Sequence, residues 1–274
     1  MHIHAIQTGL VQIKMSQIDG RGHGLARRLA PLTDREWGPW LPTFAWAIEH
    51  PEGVILIDTG ASAKLKSLPR WHPFFRYAVR FEIEPEQEVG PQLRTLGIGA
   101  KDVRRVVMTH MHMDHDAGLG YFPDSEVLAS SNETRRAAGL AGRIRGYLPE
   151  RWPEWLDPTP LAFSSGPYGP FGRSCRLTAS GDVVAVPTPG HTPDHLSIIV
   201  EDGGTSIFIA GDASYSEQNM LKGRIDGVCS NEEAAATTLE LIRHFAATRP
   251  TIYLPTHDPA AAERLAQRKT VAFG

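Results

Sequence analysis

The stretch Thr109–His115, THMHMDH, constrains this chain more than any other. It sets three histidines and an aspartate, His110, His112, Asp114 and His115, at the end of a strand-like run, VRRVVMT. Alternate side chains of an extended backbone point the same way, so His110 and His112 can converge on one point. Asp114 and His115 follow after the chain turns and can converge on a second point nearby. Imidazoles and carboxylates suit borderline divalent cations such as zinc, and two points of convergence predict two metals. A single histidine is usually a packing or surface residue. Candidate ligands this closely spaced are harder to read that way, and the chain supplies more downstream: His191 in TPGHTPDH, Asp212 in IFIAGDASY and His257 in IYLPTHD. The last two each follow an apolar, β-rich run, where a rigid scaffold presents ligands on loops.

With 41% apolar and 22% charged residues, the 274-residue chain reads as an ordinary globular protein, expected as one domain over 1–274. A formal net charge of −3 gives no global reason to expect nucleic acid or an anionic membrane as partner. The two cysteines, Cys175 and Cys229, cannot make a disulfide framework and are expected as free thiols. The N-terminus, MHIHAIQTGLVQI, lacks the basic start and long apolar core of a signal peptide and alternates as a first strand does. His2 and His4 form a second HxH that carries little weight, because no carboxylate or third histidine follows it. No apolar run reaches the length of a membrane span, so the cytoplasm is the expected location.

In chain order, residues 3–13 read as a strand. Residues 14–42, rich in Gly and Pro with Trp37 and Trp40, do not read as regular structure; they are either a surface excursion or a flap near the site. FAWAIEH-PEG-VILIDTG is a hairpin signal with strands at 44–49 and 54–57. WHPFFRYAVRF, aromatic and basic together, is expected to pack the core, with a dimer face or a pocket wall as alternatives. A short helix is predicted over Pro91–Leu96, then the strand Val103–Met108, a strand at Glu126–Ala129 and a helix capped by Ser131 or Asn132. Residues 141–173 look like an insertion whose arginines form a solvated face. Strands follow at Cys175–Thr178, Val183–Val186, Leu196–Val200 and Ser206–Ile209. A helix begins at Ser230 with a Ser230/Glu233 capping box and one apolar face of Ala235, Leu239, Ile242 and Phe245. A last strand, Thr251–Leu254, and a helix near Pro259–Arg268 close the chain.

The pattern HxHxDH followed by a distant His, an Asp and a final His resembles the metallo-β-lactamase superfamily, from the strand pair ending at Asp58-Thr59-Gly60 through to His257. The resemblance implies an α/β fold (α+β in some schemes), a four-layer αβ/βα sandwich of two mixed β-sheets flanked by helices. It implies two metal ions, zinc by preference: one on His110, His112 and His191, the other on Asp114, His115 and His257, with Asp212 bridging. It also implies that Asp58 sits beneath the metals and orients a histidine; an Asx turn is the plainer reading of Asp-Thr-Gly, and the two are compatible.

The details separate relatives. The β-lactamases with a cysteine ligand use Cys where this chain has Asp212, and a diiron redox site carries Glu where His112 stands. Tyr215, in GDASY, together with LPTFAWAIEHPEGVILIDTG, is similar to the N-acyl homoserine lactonases. That likeness implies ring opening of a homoserine lactone by a metal-bridging hydroxide. Tyr215 would stabilise the oxyanion, Asp114 would protonate the leaving oxygen, and the result is quenching of quorum signals. Met111 and Met113 would help to line an adaptable acyl pocket, although core packing is the simpler account of them. The expected partner is a small-molecule lactone, with homodimerisation through the aromatic segment as a further expectation.

Several rivals stand beside this. Glyoxalase II carries a helical basic region after its last ligand, where only 17 residues follow His257 here. An RNase Z-type nuclease wants a basic surface for phosphates. An organophosphate or aryl-ester hydrolase would use the same metals, and a non-catalytic metal-binding protein would be expected to lack a ligand.

Overall fold

The computed structural model describes residues 1–69 and 71–273, and the chain folds as two compact units. The first comprises Met1–Lys14 and Trp37–Leu161; the second comprises Met15–Glu36 and Ala162–Gly274.

The first unit is built on a long antiparallel pair, β1 (His2–Lys14) and β2 (Trp37–Glu49), in register from His2 opposite Glu49 to Lys14 opposite Trp37. The register shifts between Gln7 and Leu10, at Gly9, whose φ of 93° admits the bulge. To these are added β3 (Val54–Ile57), β4 (Val79–Glu82), β5 (Val103–Val107), β6 (Glu126–Ala129) and β7 (Thr159–Pro160). The sheet order is β4-β1-β2-β3-β5-β6-β7. It is antiparallel through β3 and parallel from β3 to β7, hence mixed. All four residues of β3, VILI, are buried, as expected of a central strand covered on both faces. Helix Val89–Thr95 packs Val89 and Leu93 into the core with Leu56, Val106, Leu119 and Phe122.

β2 begins at Trp37, inside the stretch read as irregular. Pro39 and Pro42 made that stretch look like a loop. The register with β3 covers only Trp46–Ile48, so the proline end of β2 pairs with β1 alone and a proline nitrogen turned away from β1 loses no ladder bond. In the aromatic segment, Phe75 is buried on a short helix, Pro73–Tyr77, while Trp71 and Tyr77 are at least half exposed, so only part of it packs the core.

The second unit carries β8 (Cys175–Arg176), β9 (Val183–Pro187), β10 (Leu196–Asp202), β11 (Thr205–Gly211) and β12 (Thr251–Pro255), in the order β12-β11-β10-β9-β8. β11 and β12 are parallel and the other pairs antiparallel, so this sheet is mixed too. Helix Glu232–Thr248 buries Leu239, Ile242 and Phe245 against Phe208 and Tyr253, and Ala235 on the same helix is buried as well. Its N-cap is Asn231, whose side chain accepts from Ala234 N at 3.0 Å. Ser230, the expected cap, is committed elsewhere: its hydroxyl donates to Gly190 O at 2.8 Å, tying the helix start to the loop that carries His191.

Most of the rest of the stretch expected to be irregular is helical, Met15–Asp19 and Gly24–Thr33. The buried Arg27 explains it. Its guanidinium donates to the carbonyls of Gly22 at 3.0 Å, Asp226 at 3.0 Å and Ile225 at 2.6 Å, so tertiary partners outweigh a weak local propensity. Residues 141–173 begin within helix Gly139–Ile144 and continue through turns and β7. Arg151 in this segment donates to the carbonyls of Lys64 and Ser67 at 2.8 and 2.7 Å, a structural clamp. Among the described residues no disulfide joins the cysteines, and no helix is long and apolar enough to cross a membrane.

Candidate active site

Strand ends present the candidate ligands. In a parallel pair, functional side chains collect just beyond the carboxyl ends of the strands. β3 ends at Ile57 and delivers Asp58; its parallel neighbour β5 ends at Val107 and delivers Met108-Thr109-His110. The chain then turns into a one-turn helix, Met113–Asp116, with His112 at its N-cap and Asp114 and His115 within it. The rings of His110 and His112 lie 4.7 Å apart and those of His110 and His115 4.0 Å apart. In the first unit, the three imidazoles of THMHMDH therefore form one cluster.

Asp58 organises that cluster from below. Its backbone sits at φ 56°, a left-handed conformation that Asp tolerates better than most residues. Its Oδ1 accepts from Thr109 N at 2.7 Å, and its Oδ2 accepts from Thr109 Oγ1 at 2.8 Å and from His115 Nδ1 at 2.8 Å. Having donated its proton to Asp58, the Thr109 hydroxyl accepts from His110 Nδ1 at 3.0 Å. In both histidines the proton is thus placed on Nδ1, and the Nε2 lone pair is left for an electrophile. Asp116 is not part of the donor set: its carboxyl is buried and accepts from Trp152 Nε1 at 2.5 Å, and burial pushes it up to about 8. On the flank, Glu133 is buried and accepts from Tyr147 Oη at 2.9 Å, and the Tyr147 ring lies 4.9 Å from that of His112. Met111 is wholly buried in the core, whereas Met113 borders a small cavity with Leu65, Leu148 and Arg151.

The second unit holds its own cluster. β11 ends at Gly211 and delivers Asp212; its parallel neighbour β12 ends at Pro255 and delivers His257 two residues on. His191 lies on the turn between β9 and β10. Gly190 holds that turn at φ 150°, and a Cβ there would lie 2.5 Å from Ala235 Cα, so only glycine fits. Asp212 offers one oxygen to each histidine: Oδ2 stands 3.5 Å from His191 Nε2, and Oδ1 stands 3.4 Å from His257 Nε2. These separations exceed a good hydrogen bond. They match the distance of about 3.4 Å between two donors on one tetrahedral zinc. Asp226 Oδ2 lies 3.2 Å from His191 Nδ1 and again leaves Nε2 as the donor. The donor chemistry and its orientation in both clusters fit divalent metal.

Three residues that hold this cluster were not singled out in the sequence. Asp226 and Gln17 meet their partners only through tertiary folding. His195 sits in the same TPGHTPDH motif as His191 but is no ligand: its Nε2 accepts from Asp212 N at 3.0 Å and its Nδ1 lies 2.9 Å from Thr188 Oγ1, so it fixes the Asp212 backbone. Tyr215 is buried with its ring 5.5 Å from that of His257, and its oxygen accepts from Gln17 Nε2 at 2.8 Å.

The chain is 24% identical over 270 residues to N-acyl homoserine lactonase AttM of Rhizobium radiobacter, covering 95% of this chain and 94% of that one. It is 30% identical over 188 residues to a probable metallo-hydrolase of Mycobacterium bovis, covering 66% of this chain but only 57% of that longer protein. A solved N-acyl homoserine lactone hydrolase, with the product N-hexanoyl-L-homoserine bound at its catalytic metal center, superimposes with a TM-score of 0.74 at 19% identity, over 99% of this chain and 96% of the other. The profile of the Metallo-beta-lactamase superfamily matches residues 38–257, from the second residue of β2 to the last candidate ligand. With its two mixed sheets flanked by helices and its ligand-bearing strand ends, the chain belongs to the metallo-beta-lactamase superfamily.

Proposed function

We propose that this protein is a dinuclear-metal hydrolase that opens the lactone ring of N-acyl homoserine lactones, and so quenches quorum signals, with the two units acting as one domain in the cytoplasm. One ion is assigned to His110, His112 and His191, the other to Asp114, His115 and His257, with Asp212 shared. That assignment rests on the order of ligands in the chain and on membership of the superfamily. When bound, two divalent ions, zinc by the donor set, supply a water acidic enough to attack near neutral pH and a Lewis acid for the carbonyl.

Tyr215 carries the choice of substrate. It follows Asp212 by three residues, is buried beside His257, and has its oxygen held by Gln17. Because Gln17 donates to that oxygen, the phenolic hydrogen is directed away from Gln17. It serves as a donor to a carbonyl oxygen that gains charge during attack. Asp114 carries a proton to the departing ring oxygen. Asp58, Thr109 and Asp226 hold the imidazoles in one tautomer throughout. The likeness to AttM over nearly the whole of both chains supports the same substrate class.

The test is hydrolysis of a series of N-acyl homoserine lactones by zinc-loaded protein, with the ring-opened acid followed by mass spectrometry. A glutathione thioester and an aryl phosphotriester are run in parallel. Lactone turnover well above the other two, abolished by Asp212→Ala, is the expected result. Two bound metals with no lactone turnover would overturn the substrate assignment.

A further inference from the structure

The second HxH of the sequence, His2 and His4, gains in the folded chain the carboxylate it lacks in the linear one. Residues two apart on β1 share a face, and the β1–β2 register sets His2 directly opposite Glu49 and His4 opposite Ala47. The His4 Nε2 atom lies 2.6 Å from Glu49 Oε1, and the His2 and His4 rings meet edge-on at 4.3 Å. One donor atom from each of His2, His4 and Glu49 lies within 4.8 Å of the other two. The same face is buried further along, at Ile6, Ala45 and Ala47, and opens to solvent at this end. The His4 side chain is 15% exposed and that of Glu49 is 52% exposed, so one ligand is already held by packing while the other remains accessible.

We propose that His2, His4 and Glu49 form a surface cation site at the open end of the β1–β2 hairpin, which takes a borderline divalent transition ion such as Zn2+, Cu2+ or Ni2+. Two imidazoles and one carboxylate are the donor set such ions prefer. Mg2+ and Ca2+, which want all-oxygen shells, are poor matches. The ion would replace the proton shared between His4 and Glu49 and complete its shell with water. A His–Glu pair whose carboxylate is half exposed contributes little to stability on its own, and the three donor atoms already stand within reach of a single ion. With an ion bound, the first strand is clipped to the end of β2. All three residues belong to the first unit and none belongs to the clusters assigned to hydrolysis, so the inference stands whatever the substrate proves to be.

The experiment is a Cu2+ titration of the full, zinc-loaded chain carrying no added affinity tag, read by electron paramagnetic resonance and by equilibrium dialysis. The wild-type chain is compared with His2→Ala/His4→Ala and with Glu49→Gln. The expected result is one more ion bound per chain in the wild type than in the double variant. That extra ion shows nitrogen hyperfine splitting from two imidazoles, and it is held more weakly by Glu49→Gln. Equal stoichiometry in the wild type and the double variant overturns the site. Full affinity in Glu49→Gln overturns the three-ligand assignment.

Discussion

Asp58 accepts from three donors at once, two on Thr109 and one on His115, and through the Thr109 hydroxyl it reaches His110 as well. One carboxylate therefore sets the tautomer of two candidate ligands. Asp58→Asn keeps the left-handed backbone, which Asn also tolerates, but halves the acceptor capacity. Metal affinity is expected to fall about 10- to 100-fold, as for other partners of metal-bound histidines, measured by competition against a chromophoric chelator; unchanged affinity would remove Asp58 from this role. Gln17 offers a second residue-level test. Gln17→Leu removes the hydrogen bond to Tyr215, worth about 1 kcal/mol, and is expected to lower kcat on lactone about fivefold. Tyr215→Phe should cost about a hundredfold if the phenol stabilises the oxyanion. Equal activity of all three proteins would sink the role assigned to Tyr215.

At the scale of elements, what was legible in the sequence depended on how local the cause was. Glu126–Ala129 and Val103–Val107 are short β-prone runs bounded by turn residues, and local sequence alone placed them. THMHMDH was legible for the same reason: its side chains cluster along the chain before they cluster in space. Helix Gly24–Thr33 was not, because the residues that hold it, Asp226 and Ile225, lie about 200 positions away. Glu49, which completes the surface triad, is 45 positions from His4 and is reached only through strand pairing. Asn231 was missed as a cap because Ser230 matches the same motif one residue earlier and is used instead to hold the His191 loop. The helix at 24–33 gives a direct test. Arg27→Ala strips three carbonyls of their charged donor and should cost about 2 kcal/mol. Urea denaturation measures the loss, and chymotrypsin should cut faster at the exposed Leu25 and Leu29. Wild-type cleavage rates would show that the helix stands without Arg27.

For the molecule as a whole, metal and folding should be linked. Ions that bind only the folded chain stabilise it, by about 4 kcal/mol at a free concentration a thousandfold above Kd. Stripping metal with a chelator should therefore lower Tm by about 10 °C for a chain of this size, read by scanning fluorimetry. Asp212→Ala should lose much less on the same treatment. An identical Tm with and without chelator would mean that the histidine clusters hold no ion in the native state.

A proline of β2 matters at this scale as well. Beyond the reach of β3, β2 is paired with β1 alone; residues 41–45 are buried there, and Pro39 is exposed. Pro39, at the exposed end, has no N–H to offer a strand laid against it. A residue that makes this strand read as a loop thus also weakens it as a template for intermolecular sheet growth.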